Sequence, residues 1–181
     1  MSELVGAQGY ETTTVPDVVA AARVSRNAFY ELFDDKTDCF IALCEEAGVG
    51  LAAELVSFGG EREWRVALRK GLNAYLRWWQ DRPALARAYL VELPTAGPRA
   101  ITQRERQYAR FGEVLHAVGL WARQGRRELP VLSELAVRAA VISVTELVAA
   151  QVREAGTERL LEMEDDLYLL LVTLLVGEPT G

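Results

Sequence analysis

Apolar residues recur at spacings of three and four along almost the whole chain. Nowhere is there the two-residue alternation and β-branched enrichment of a strand bounded by turns, so the pattern predicts an all-α protein. Thr14-Val15-Pro16-Asp17 reads as a capping signal: Thr14 can accept from an amide of the first turn, Asp17 suits the positive helix end, and Pro16 is tolerated there. A short helix should then reach Ala22. Ser25 can cap the next one, ending near Phe33, with Phe29, Leu32 and Phe33 as its core side and Tyr10 and Val15 packed on them. Asp35 and Asp38 can cap a third. Its apolar positions Phe40, Cys44, Ala47, Leu51 and Leu55 keep one face until Gly59-Gly60, which makes it a rod of roughly 30 Å.

Beyond the glycines, Trp64, Leu68, Leu72, Tyr75 and Trp79 line one side of a helix that carries Arg65, Arg69, Lys70 and Arg77 on the other and ends near Asp81. A short helix from Pro83 to Glu92 and a loop over Pro94 to Pro98 should follow. Helix resumes near Arg99 with Ile101, Tyr108, Phe111, Leu115, Val118 and Ala122 as its buried face, and Gln124 to Pro130 closes it. The last two helices, about Ser133 to Ala155 and Met163 to Val176, are apolar nearly all round. Such helices need cover on both faces, and a second copy of the chain can supply it. A homodimer is therefore expected, with Val141, Val144, Val148, Leu170, Thr173 and Leu174 at its interface. The organisation expected is an amino-terminal unit over residues 1–46, its first helix abbreviated because eight residues precede Gly9, and a helical ligand-binding and dimerisation unit over 47–181.

Composition narrows the function. Half of the 181 residues are hydrophobic, ample for a core. The longest apolar run, Leu167 to Val176, is about half of the ~20 residues that span a bilayer, and no export signal leads the chain. A cytoplasmic protein without membrane attachment is expected. Residues 1–46 hold three cations, Arg23, Arg26 and Lys36, against nine acids, so the formal charge of −6 falls entirely on this unit. That excludes a protein that coats nucleic acid indiscriminately, while leaving room for a small contact surface. Cys39 and Cys44, five apart on a helix, point in different directions and are expected to be buried free thiols. His116 is the single histidine, so neither a hydrolytic triad nor a zinc site can be assembled readily. No catalytic residue, metal or cofactor is expected.

The chemistry lies in Ala22 to Lys36. Two short helices joined by Arg23-Val24 form a helix-turn-helix, whose second helix can enter the major groove of DNA. Polar residues in its first turn reach base edges, and apolar residues behind them anchor the helix. Arg26 can grip guanine O6 and N7, Asn27 can pair with adenine N6 and N7, and the Ala28 methyl can meet a thymine methyl. Thr14, Ser25, Tyr30 and Lys36 complete the expected contact set, Tyr30 and Lys36 toward phosphates. From Gly9-Tyr10 through Thr12-Thr13-Thr14-Val15, the Val24-Ser25 turn, Phe29-Tyr30 and Phe33 to Lys36, the stretch resembles the TetR family signature. It departs from it where Arg23 stands, since family members commonly place glycine there. The resemblance implies a homodimeric, ligand-responsive transcriptional regulator, usually a repressor, bound to operator DNA and to a small-molecule effector, with a variable helical carboxy-terminal unit.

Aromatic side chains after Gly60 provide material for an effector cavity, with Tyr75, Trp78, Tyr89, Phe111 and His116 the expected lining. Trp78 and Trp79 are adjacent and must divide between cavity and packing. The acidic amino-terminal unit supports one alternative: a small-molecule-binding protein or enzyme of the same fold without specific DNA binding.

Overall fold

The computed structural model describes residues 1–56, 63–124 and 132–176, and its regular structure there is entirely helical. The elements in chain order are α1 (Ser2–Gln8), α2 (Val15–Ala22), α3 (Arg26–Tyr30), α4 (Lys36–Val56), α5 (Trp64–Gln80), α6 (Pro83–Ala86), a π-helical turn (Arg87–Glu92), a 3-10 turn (Leu93–Thr95), α7 (Pro98–Gln124), α8 (Glu134–Ala155), a second 3-10 turn (Leu160–Met163) and α9 (Glu164–Val176). The expected break at Gly59-Gly60 and most of the closing segment Gln124 to Pro130 lie outside the described residues, as does the Ala122 side chain.

Local chemistry sets the amino-terminal boundaries. Thr14 accepts from the Asp17 amide at 3.4 Å while Asp17 accepts from the Thr14 amide at 2.9 Å, a reciprocal box that starts α2. α2 stops at Arg23, whose φ of 57° is the left-handed value at which glycine carries no Cβ penalty. Ser25 then accepts from the Ala28 amide at 3.0 Å and starts α3. α3 is shorter than the periodicity implied. It ends at Tyr30, the chain turns at Glu31 and Leu32, and Leu32 is 76% exposed instead of belonging to the core; Phe29 is buried and Phe33 half-buried.

Two cores result, and α4 joins them. Val18, Val19, Phe29 and Cys39 form the small one, with Val15 and Phe33 against it. Phe40, one residue after Cys39, belongs to the large core, which also takes Tyr10, stacked on Phe40 at 4.9 Å, and so removes Tyr10 from the group expected around Phe29. Phe40, Cys44, Ala47 and Leu51 are buried as a face of α4, and Trp64, Leu68, Leu72, Tyr75 and Trp79 as a face of α5. Both cysteines are free and buried, and burial alone pushes the Cys44 thiol up to about 12.

Elsewhere the register differs from expectation. Ile101 is 50% exposed because the near end of α7 buries Ala100, Gln103 and Gln107 instead. The two glutamines occupy positions that an apolar template assigns to solvent. Gln107 is admitted by Gly48 of α4, where a Cβ would stand 2.2 Å from its amide oxygen. The segment after Pro83 widens into π-helix from Arg87, and part of the expected loop, Leu93–Thr95, is a 3-10 turn. α8 packs on the π turn, on α7 and on α9. α1 lies on α6, so close that a Cβ at Gly6 would meet the Ala84 backbone at 2.8 Å.

Candidate nucleic-acid interface and effector cavity

α3 presents its first turn outward. Arg26 and Asn27 are exposed, Ala28 is half-buried, and Tyr30 is exposed on the same short helix, with its ring edge-on to Phe29 at 5.3 Å. Phe29 anchors the helix from behind. The layout is therefore a polar leading turn over an aromatic anchor, as a groove-reading helix requires. Arg23 is exposed beside it in the turn. Three of the residues named with them have structural partners. Ser25 and Thr14 spend their hydroxyls on caps, Thr14 also donating to Asp17 at 2.6 Å. Lys36 donates to the Tyr10 carbonyl at 2.8 Å and stands 4.1 Å above the Tyr10 ring, so it ties the loop after α1 to the start of α4. An ammonium has three donors, so this bracing leaves capacity for a phosphate, but the group is half-buried and no longer a free cation.

Further polar contacts tie the loop after α1 and the start of α4 into the rest of the molecule. The Tyr10 amide donates to Glu92 of the π turn at 2.9 Å. Tyr10 also shares a hydrogen bond of 2.8 Å with Thr37. Arg99, at the start of α7, bridges Asp35 at 2.8 Å and Asp38. Asp35 meanwhile caps α4 by accepting from the Asp38 amide at 2.8 Å. That amide, then the Arg99 charge, hold the Asp35 carboxyl below its ordinary range against the opposing effect of burial.

A cavity of about 250 Å³ opens between α4, α5, α7, α8 and α9. Tyr75 and Phe111 line it as expected, with Leu55 and Val56 of α4, Leu68 and Leu72 of α5, and Leu115, Val118 and Trp121 of α7. Trp78, Tyr89 and His116 do not. Trp78 turns away from the α5 face that meets the cavity, lies over Gly50 of α4, and is covered by the Arg82 guanidinium at 4.0 Å. Tyr89 packs against Trp79 inside the core, ring centroids 4.8 Å apart and planes tilted by 39°, one turn beyond Tyr75. His116 sits half-buried on α7 between lining residues that point elsewhere.

The valine stripe of α8 also departs from expectation. Val141 and Val144 line the cavity and Val148 is fully buried within the single chain, so none of the three is available to a second copy. The reason is that α8 has two apolar sides and the valines form the inner one. Its outer side carries Leu147, which is 45% exposed. On α9, Leu170 and Leu174 are half-buried and Thr173 is exposed, next to Leu169 at 43%.

Residues 2–43 match the family model for bacterial regulatory proteins of the tetR family. Over these residues the amino-terminal unit is similar to that of TetR-family regulators. Solved structures extend the likeness over the whole chain as a likeness of fold. The transcriptional regulator FadR from Bacillus subtilis, in complex with stearoyl-CoA, is 15% identical, with 98% of this chain and 95% of that chain covered and a TM-score of 0.79. The TetR-family regulator PfmR from Thermus thermophilus is 23% identical over 99% and 94%, with a TM-score of 0.70. A tetR-family regulatory protein from Rhodococcus is 20% identical over 94% and 92%, with a TM-score of 0.71. No match was found among curated protein sequences. Arg23 occupies the left-handed turn position with a side chain, at a cost of roughly 1 kcal/mol.

Proposed function

We propose that the protein is a cytoplasmic, ligand-responsive repressor that binds a near-palindromic operator as a homodimer. The observation that carries the reading is the exposed Arg26-Asn27 pair on an N-capped helix whose supporting rod, α4, runs on to the wall of a cavity. Residues 1–46 act as the reading head and the remainder as effector-binding and dimerisation body. The exposed outer side of α8 and α9, with Leu147, Leu169 and Thr173, supports pairing with a second copy. Two heads would then address successive major grooves about 34 Å apart. Stearoyl-CoA in the Bacillus subtilis structure supports a fold that takes an effector.

Control follows from the same connections. α4 and α7 both run from the cavity to the head, α4 ending beside α3 and α7 ending at Arg99 on Asp35 and Asp38. An occupant that favours one relative placement of these helices shifts the heads and their spacing. Its leverage cannot exceed its differential affinity for the two states.

Selection from a random-sequence DNA library tests the proposal. A near-palindromic site should be enriched, and Arg26→Ala or Asn27→Ala should weaken it by about 1–3 kcal/mol, tenfold or more, and relax preference at one base pair each. With Lys36 braced internally, Arg23 and Arg26 remain as the free cations of each head, so the log-log salt slope of a dimer should be about −4 or shallower. Failure to enrich any sequence would favour the alternative of a small-molecule-binding protein without specific DNA binding.

A further inference from the structure

The cavity has an unusual balance of groups for a site that controls a protein with this much surface charge. Among its described lining residues there is no Asp, Glu, Lys, Arg or His. The cations of α5, Arg69, Lys70 and Arg77, occupy the opposite side of that helix, along an outer groove with Asn73 and Trp78. A carboxylate or phosphate drawn into the cavity would lose its water and meet no counter-charge, which costs several kcal/mol. Hydrocarbon meets the reverse situation, since each buried methylene gains about 0.8 kcal/mol.

Two hydroxyls interrupt the apolar wall, those of Tyr75 on α5 and Thr145 on α8. They lie side by side, and the Tyr75 residue is 7% exposed. The Tyr75 hydroxyl has no partner in full hydrogen-bonding geometry, although the Thr145 hydroxyl and the Trp79 indole stand beside it. An unmade bond at such a buried donor costs about 1–3 kcal/mol, and an acceptor placed against the pair would complete it. Burial pushes the Tyr75 phenol up to about 12, which keeps it protonated and a donor at any working pH. Of the other lining residues, Val56 at the end of α4 is 64% exposed and Trp121 on α7 is half-buried.

Resting on the effector-binding role proposed above, we infer that the cavity selects an uncharged, mainly hydrocarbon molecule carrying one hydrogen-bond acceptor, such as an ester or ketone carbonyl. The acceptor enters first and takes the Tyr75 and Thr145 hydroxyls, and the hydrocarbon extends along Leu68, Leu115 and Val118 toward Val56 and Trp121. A molecule with an ionised head could enter only tail first, leaving the two hydroxyls unanswered.

Calorimetric titration of the full chain with three probes of equal acyl length decides the point: methyl octanoate, octanoate at pH 8, and the octanoyl thioester of coenzyme A. The ester should bind at least tenfold more tightly than either charged probe. Tyr75→Phe and Thr145→Val should each weaken the ester by about two- to tenfold, the range of one net hydrogen bond, without altering the circular dichroism of the free protein. The inference is overturned if a charged probe binds as tightly as the ester, if both variants leave ester affinity unchanged, or if the ester fails to bind at its solubility limit. Operator occupancy is read separately. Ester binding as expected without any change at the operator overturns the regulatory reading and upholds the cavity chemistry. Release of operator by octanoate but not by the ester does the opposite.

Discussion

The head and the body of this molecule are stabilised by different means. In the head, Val18, Val19, Phe29 and Cys39 form a small core of their own, and the helix starts around it are fixed by side-chain caps at Thr14, Ser25 and Asp35. In the body, long helices share a continuous core from Phe40 to Leu175, and several boundary positions carry no side-chain cap at all, Glu63 and Arg82 among them. A unit with little surface to bury depends on each local contact, whereas a large core spreads its stability over many. The head also leans on the body, through the Tyr10 amide on Glu92 and Gly6 on Ala84. Such a unit can be repositioned without dismantling the rest, which the proposed control of operator binding requires.

The largest test of that contrast is Phe29→Ala. Removing this ring should cost about 3–5 kcal/mol, enough to open the head. Hydrogen exchange should then show loss of protection confined to α2, α3 and the first turns of α4, with α5 and α8 unchanged. Global unfolding instead would show that the two cores are one cooperative unit. Next in size is Gly6→Ala, whose methyl would stand 2.8 Å from backbone atoms of Ala84. Backbone cannot yield as a flexible side chain does, so a loss of about 1–3 kcal/mol is expected, read as a lower thermal midpoint. The corresponding change in the body, Gly48→Ala, meets the movable end of Gln107 and should cost less.

A smaller effect sharpens the comparison further, because the same cap occurs in both regions. Ser25 accepts from the Ala28 amide and Ser133 from the Ala136 amide, each at 3.0 Å. Replacing either serine by alanine removes about 1 kcal/mol of capping. α3 has 5 residues and α8 has 22, so the loss should appear as local opening and weaker operator binding for Ser25→Ala. For Ser133→Ala it should appear only as a slight fall in the thermal midpoint. Equal local effects in hydrogen exchange would remove the distinction drawn between cap-dependent and core-dependent helices.

These differences also explain which features were legible in the sequence. Caps were legible because they are one-residue chemistry: Thr14 and Ser25 stand where residue type and spacing placed them. The faces of α4 and α5 were legible because each is apolar on one side and polar on the other. Reading failed where a helix breaks that rule. α7 buries Gln103 and Gln107 beside α4, which turned Ile101 outward against expectation. α8 is apolar on two sides, and periodicity alone could not tell the side that lines the cavity from the side left outside. Trp78 failed for a related reason, since adjacent aromatics on one helix are separated by what packs against them, here Gly50 and Arg82, and not by their own chemistry.

The smallest expected effect lies at the joint between the two regions. Arg99 on α7 pairs with Asp35 and Asp38 on the surface of the head, and exposed pairs of this kind contribute about 0–1 kcal/mol. Arg99→Ala should therefore change the thermal midpoint little at neutral pH, yet weaken the effector's hold on operator binding, because it cuts one of the connections from α7 to the head. Acid provides the internal check. Asp35 is held below the ordinary carboxylate range, first by the Asp38 amide and then by Arg99, so its contribution is fully present above an unfolded value of about 4 and is lost as pH falls through the lower folded value. The small stability gap between the natural chain and Arg99→Ala should close over that window. Asp17, lowered by its bonds to Thr14 and remote from Arg99 in sequence and partners, should titrate identically in both proteins. A gap that stayed constant down to pH 2 would mean that the guanidinium acts through packing, and that the charge at this joint carries nothing from body to head.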